Sequence, residues 1–230
     1  MRALRPSAIM RAVLSSLPGP TARRRDRALL AAGRALAVEA MVVGSVGNVS
    51  VRAGADVRIT PTALPYPRMR RADLVTVAAD GRRLAGRHAP SRELPLHLAI
   101  YAARPDVAAI VHCHSPWAAA WSFLGEPLAP ATEEIAYFGI GPVRTARRAA
   151  TGSEALAAAA VDALGASLAA LLGGHGTLAV GASVERALTV ARAVEHQAHV
   201  AWLLRLAGPA PPGAPGLARA AGSARAAPCA

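Results

Sequence analysis

Lysine is absent from this 230-residue chain, and all 26 of its basic side chains are arginines. That absence excludes a lysine Schiff base, a covalently held pyridoxal cofactor and a phosphate-loop lysine. If the protein polarises a carbonyl, a group other than an amine must do so. Aromatic residues are scarce, at 3%, so the core must be assembled from Leu, Val and Ala rather than from large rings. Only two cysteines occur, Cys113 and Cys229. They are too few for a disulfide framework, which makes a reducing compartment the expectation. No apolar stretch long enough to span a bilayer runs free of charge. The first 25 residues contain no acid, and Pro6 and Arg11 break their apolar run, an unsuitable make-up for a secretory signal. These absences point to a cytoplasmic protein with no membrane association.

Charge of one sign is plentiful. The formal net charge is +12, which invites a nucleic-acid reading. The arginines are scattered, however, apart from short runs such as Arg23-Arg24-Arg25 and Arg147-Arg148, and no aromatic-plus-arginine platform for stacking bases accompanies them. Arginine in place of every lysine, with abundant alanine, reads as coding bias, and we expect no nucleic-acid partner.

The length suits one α/β domain with a full core. Residues 1–20 and 208–230 are rich in Pro, Gly and Ala without periodicity and read as a disordered leader and tail, leaving a domain over 21–207. Apolar spacing predicts a first helix from about 22 to 43, ending at Gly44. Short β-rich runs follow at 49–52, 57–60 and 74–78, the last meeting the hairpin signal Asp80-Gly81. Ser91 is placed to cap a helix running to about Ala103, with Pro95 in its first turn. Further elements are a strand over 107–111, a helix over 116–124, a helix between Ser153 and Gly165, strands over 167–172 and 177–180, and a helix from Ser183 to about Leu206. Several strand connections are too short for parallel crossovers. The expected fold is therefore a largely antiparallel sheet covered by helices.

Chemistry concentrates in a few positions. His112 and His114 stand two apart at the end of the 107–111 strand. Their rings should face one side and Cys113 the other, which makes half a site for zinc or a similar divalent ion. An equally plain reading is two histidines at a strand end. His175 lies in Gly-Gly-His-Gly, where glycines permit close backbone approach and aim the ring inward. Three histidines leave a coordination position open, the catalytic arrangement. Glu93, beside a helix start, suits a fourth ligand, an acid/base group whose proton affinity is raised by desolvation, or a first-turn acid. Asn48 could be a turn residue, and His97, His196 and His199 fall on helical faces as packing or solvated side chains.

The segments GNVSVR (47–52), ITPTALPY (59–66), PSRELPLHLAIYAARPDVAAIVHCHSP (90–116) and GGHGTLAVG (173–181) resemble the class II aldolase/adducin family, particularly its L-fuculose-phosphate aldolase branch. The resemblance spans about residues 22–206 in order and spacing. It implies a single α/β/α domain with a mostly antiparallel central sheet, and a homotetramer with active sites between subunits. It also implies Zn2+, or another divalent metal such as Mn2+ or Fe2+, held by His112, His114 and His175, with Glu93 as the catalytic acid/base. Asn48, Thr62 and Ser91 match the positions that bind the substrate's phosphate, and the substrate would be a small anionic sugar. Ala63 and Arg92 depart from the family's Gly and Ser, though Arg92 could itself bind an anion. The family's proton-donating tyrosine falls near Glu133. The activity implied is cleavage of a small sugar phosphate or related hydroxy-carbonyl compound. That reaction leaves negative charge on an enediolate oxygen, which a metal stabilises as a Lewis acid. An epimerase, dehydratase or decarboxylase would use the same metal, whereas a non-catalytic adducin-like scaffold would have no need of the histidines.

Overall fold

The structure is a computed structural model that describes residues 19–208; the leader up to residue 18, the tail beyond Gly208 and Cys229 fall outside it, and Pro20, assigned to the leader, already opens the first helix. Its centre is one eight-stranded sheet. In chain order the strands are β1 (Asn48–Ala53), β2 (Asp56–Ile59), β3 (Val75–Val77), β4 (Arg83–Ala85), β5 (Ala109–Cys113), β6 (Arg144–Ala146), β7 (Ala169–Leu172) and β8 (Gly176–Gly181). Their spatial order is β4-β3-β2-β1-β5-β8-β7-β6. Every neighbouring pair is antiparallel except β6–β7 at one edge, which is parallel. The short connections thus produce the expected antiparallel sheet, and the one parallel pair is reached by the longer excursion through a helix.

Among the described residues, six α-helices cover the two faces: α1 (Pro20–Val38), α2 (Leu94–Ala103), α3 (Pro116–Ser122), α4 (Glu133–Tyr137), α5 (Glu154–Leu164) and α6 (Val184–Ala207). Two apolar layers result, one on each face. Leu29 and Leu36 of α1, Trp121 of α3 and Val190 and Val194 of α6 pack with Val49, Val111 and Leu171. On the other face, Leu96 and Ile100 of α2 and Leu156 and Ala160 of α5 pack with Ile59, Ile110 and Leu178. Strand β5 shows the alternation that a doubly covered strand requires. Ala109, Val111 and Cys113 enter the first layer, and Ile110 enters the second. His112 therefore projects toward α2.

Two boundaries differ from expectation. Helix α1 stops at Val38 rather than near residue 43. Ala40 takes a left-handed φ of 55°, and the Met41 N–H donates to the Leu36 carbonyl at 2.9 Å, so Met41 and Val42 turn into the core instead of extending the helix. Helix α2 starts at Leu94, not at Ser91. Ser91 forms the turn before it, its carbonyl accepting from Leu94 N at 3.0 Å and its hydroxyl from Glu93 N at 3.2 Å. This turn leaves Glu93 at the N-cap with its carboxylate directed away from the helix. By contrast α5 begins and ends as its sequence signals, capped by the Ser153 hydroxyl on Leu156 N and closed at Gly165.

Candidate metal centre

The three central strands bring the chemistry together. Asn48 opens β1 and stands directly opposite His112 of β5, which in turn pairs with Leu178 of β8. His114 follows β5, held by a bond from its N–H to the Met41 carbonyl at 3.0 Å. His175 sits in the tight β7–β8 turn. There Gly174 has a φ of 64°, and a side chain at Gly176 would collide with the Cys113 carbonyl, so the glycines on either side of His175 have distinct physical tasks. Ser122, at the end of α3, fixes the turn: its carbonyl accepts from Gly174 N at 3.1 Å and its hydroxyl from His175 N at 3.2 Å.

The outcome is a convergence of Glu93, His112, His114 and His175, whose nearest ligand atoms all lie within 4.8 Å of one another. The three imidazole centroids are 4.7 to 4.9 Å apart. His112 Nδ1–H donates to the Thr177 carbonyl at 2.9 Å. In the neutral ring this leaves the Nε2 lone pair facing inward, the orientation a metal ligand needs. Nε2 is 3.0 Å from His114 Nε2 and 3.1 Å from Glu93 Oε2, and His175 Nε2 is 3.5 Å from Glu93 Oε1.

These atoms fit a divalent ion on grounds of their own chemistry. Nitrogens that share one ion at about 2.0–2.1 Å cannot stand more than about 4 Å apart, and the His112–His114 pair meets that limit. Inward-facing lone pairs and a carboxylate at this spacing repel unless a cation or proton lies among them. Glu93 Oε1 is moreover buried without a hydrogen-bond partner, a costly condition for a carboxylate oxygen unless another group engages it.

Electrostatics keeps two of the rings ready. Burial, reinforced by the neighbouring imidazoles, pushes His114 down to about 4 and also lowers His175. Both rings are thus neutral near pH 7, as metal binding requires. For His112, burial works against the charged form, but the adjoining Glu93 carboxylate outweighs it and raises the ring. Glu93 reverses the expected direction. Burial does favour its proton, as anticipated, but the charge and hydrogen bond of His112, the nearby His175 and the Asn48 amide together outweigh burial. They hold Glu93 well below the usual carboxylate range, so it is ionised.

The substrate-side residues read from the sequence lie along one cleft of ≈ 430 Å³, which Asn48, Thr62, Ser91 and Arg92 line together with Glu93, His114 and His175. Their local roles differ. The Asn48 amide is engaged by Glu93 Oε2 at 2.8 Å, and the Ser91 hydroxyl holds the Glu93 backbone. Thr62 is half-buried, and the Arg92 side chain is exposed at the rim. Ala63 adopts the left-handed φ of 56° that glycine tolerates more easily. Glu133 is exposed at the start of α4, away from the four converging groups.

His97 is a neighbour of the site that its sequence pattern did not single out. It is fully buried, not solvated, and it bonds Asn48 Oδ1 through Nε2 and the Ser50 hydroxyl through Nδ1 at 2.6 Å. Two spacings pointed to it: His97 lies four residues from Glu93 on one helix face, and Ser50 lies two from Asn48 on one strand face. The remaining histidines do fit the bland reading. His199 stacks on Trp117, and His196 is 4.0 Å from exposed Glu134.

This fold and cluster define a three-layer protein whose central strands end in a His/Glu group that could hold a metal ion. Residues 27–202 match the model of the "Class II Aldolase and Adducin N-terminal domain" family, and the chain belongs to that family. It is 34% identical, over 76% of its length and 78% of the relative's, to a 5-methylthioribulose-1-phosphate/5-deoxyribulose-1-phosphate aldolase of Rhodospirillum rubrum. A solved L-fuculose 1-phosphate aldolase superposes with a TM-score of 0.77 at 30% identity, covering 81% of this chain and 88% of that one. YgbL of Klebsiella pneumoniae, described as an aldolase, epimerase or decarboxylase, superposes with a TM-score of 0.74 at 26% identity, covering 81% and 92%. Among the described residues no helix is long and apolar enough to cross a membrane.

Proposed function

We propose that this protein is a metal-dependent carbon–carbon lyase that cleaves a small sugar phosphate or a related hydroxy-carbonyl compound. One observation carries the reading: three imidazoles and a carboxylate converge, and His114, His175 and Glu93 among them open onto a cleft that also presents hydroxyl, amide and guanidinium groups. His112, His114 and His175 would hold the ion, for which the nitrogen-rich donor set favours Zn2+ over Mn2+ or Fe2+. A divalent ion in such a place supplies Lewis acidity toward a substrate oxygen. Glu93 then works through Oε1, the oxygen with no protein hydrogen bond, accepting or returning the proton that moves as the carbon–carbon bond breaks or forms. Oε2 is held in place by the Asn48 amide. Thr62, Ser91 and Arg92, with the second N–H of Asn48, would receive the substrate's anion in the same cleft.

The family resemblance adds a homotetramer with sites between subunits, and the cysteine usage and the make-up of the sequence add a cytoplasmic location. Both belong to this reading. Sedimentation should accordingly give four times the 23.4 kDa chain mass.

A second reading, in which the same metal serves an epimerase, dehydratase or decarboxylase, is favoured by the likeness to YgbL and by the rim departures Ala63 and Arg92. Elemental analysis of purified protein followed by a cleavage screen of ketose 1-phosphates separates the two. Stoichiometric metal with aldehyde release supports the lyase. Metal with an isomerised, dehydrated or decarboxylated product moves the assignment to the second reading. Full metal content in a His112→Ala/His175→Ala variant removes the site itself.

A further inference from the structure

A line of buried polar groups leads away from Glu93 into the space between the sheet and α2. Asn48 Nδ2 is 2.8 Å from Glu93 Oε2, and Asn48 Oδ1 is bonded to His97 Nε2. His97 Nδ1 is 2.6 Å from the Ser50 hydroxyl, which is 2.8 Å from the Tyr101 hydroxyl. Tyr101 in turn lies beneath the Arg52 guanidinium, 4.7 Å from its ring centroid. Asn48, Ser50, His97 and Tyr101 are all buried, so solvent supplies no alternative partners.

Only one direction of donation satisfies every member. An ionised carboxylate accepts and never donates, so Asn48 must present its NH2 to Glu93 and its carbonyl oxygen to His97. His97 must then carry its proton on Nε2, which leaves Nδ1 as an acceptor. Ser50 donates to Nδ1 and accepts from Tyr101. The reverse direction would set the Asn48 oxygen against the Glu93 carboxylate and put two acceptors in contact. This elimination holds however the Asn48 oxygen and nitrogen are assigned, because the carboxylate fixes the end of the line. Burial also opposes a second proton on His97.

We propose that His97 is a positioning residue that sets the Asn48 amide so that its NH2 clamps Glu93 Oε2 and leaves Oε1 as the working oxygen. The inference rests on Glu93 being the acid/base group of the proposed lyase. It gives a sense to the tautomer of His97 as well as its position. The imidazole acts as a rigid link, donor on one side and acceptor on the other, between the tyrosine–serine pair and the amide. Without it the Asn48 oxygen loses the donor that anchors it, and the amide and the carboxylate it holds can turn together.

Two kinds of experiment test this. In wild-type protein labelled with 15N-histidine, His97 should be neutral and protonated at Nε2 alone. Protonation at Nδ1 alone overturns the inference without reference to activity. In zinc-loaded protein assayed on the sugar phosphate found by screening, His97→Phe should lower kcat by about 10- to 100-fold, the range for a partner that orients an active-site group. KM and zinc content should stay near wild type. His97→Gln can donate to Asn48 and accept from Ser50, so it should recover much of the loss. Unchanged kcat in His97→Phe, or no rescue by glutamine in a folded variant, overturns the inference. Failure of the underlying reading is separate, because it would show as undiminished turnover in Glu93→Gln. If His97→Phe does not fold, the tautomer and the glutamine variant still decide.

Discussion

Among single side chains, Glu93 carries the heaviest assignment. It is almost wholly buried, ionised despite burial, and has one oxygen bonded and one not. Glu93→Gln keeps the volume and one acceptor but cannot take up a proton near neutrality. We expect a loss of about 100-fold or more in kcat with metal retained, read by steady-state kinetics beside elemental analysis; normal turnover would reduce Glu93 to an N-cap residue. Arg92 offers a contrasting case. Its exposed side chain at the rim stands where the family resemblance puts serine. If it meets the substrate's anion, Arg92→Ser should raise KM about tenfold for phosphorylated substrates, roughly the value of one charge-assisted contact, and leave unphosphorylated analogues unaffected. Equal KM values for the two proteins would assign Arg92 to solvent. The convergence of His112, His114 and His175 was legible because HxH and the glycine-flanked histidine are local patterns. His97 was less so, since its meaning depends on Asn48 and Ser50, some 47 to 49 positions earlier in the chain.

Helices and strands were legible where punctuation and periodicity agree, as in α5 between Ser153 and Gly165. They were not where tertiary contacts decide. Helix α4, the short edge strands β4 and β6 and the two 3-10 turns at 66–68 and 71–73 are too brief to show a period, and α1 was overrun because Met41 and Val42 look helical yet turn into the core. A link between elements that no pattern announces is Glu195 of α6. Its carboxylate accepts from Trp117 N at 3.0 Å and Ala118 N at 2.9 Å, capping α3 from a distance. Because α3 ends at Ser122, which holds the His175 turn, the cap supports the site indirectly. Glu195→Ala should cost about 1–2 kcal/mol, the range of a lost N-cap, measured by urea unfolding. A smaller loss in metal affinity should accompany it. No change in stability would show that water replaces the carboxylate.

For the molecule as a whole, the antiparallel character of the sheet was accessible from the lengths of the connections. The spatial strand order was not, because β5 lies between β1 and β8, a pairing that short-range pattern does not encode. The same central placement makes the interior acid-sensitive. Burial depresses His97 from its ordinary 6.5 to about 3. Between those values the unfolded chain binds a proton that the folded chain refuses. Stability is therefore fully present above about pH 6.5 and declines as the pH falls toward 3. This ring contributes at most about 1.4 kcal/mol for each unit of pH. Urea unfolding at pH 7, 6 and 5 should show that decline in wild type and a shallower one in His97→Gln. Parallel slopes in the two proteins would remove His97 as the cause.

The four converging groups also have a consequence for the life history of the chain. They come from the N-terminus of α2, the end of β5 and the β7–β8 turn, so the stretch from Glu93 to His175 must fold back until β8, which begins one residue beyond it, pairs with β5. A nascent or partly folded polypeptide holds at most the adjacent His112 and His114, a weak chelate open to exchange. Full capture must wait until the β5–β8 ladder has closed and delivered the last imidazole. An ion held by the three histidines would then act as a seal on completed folding rather than as its seed.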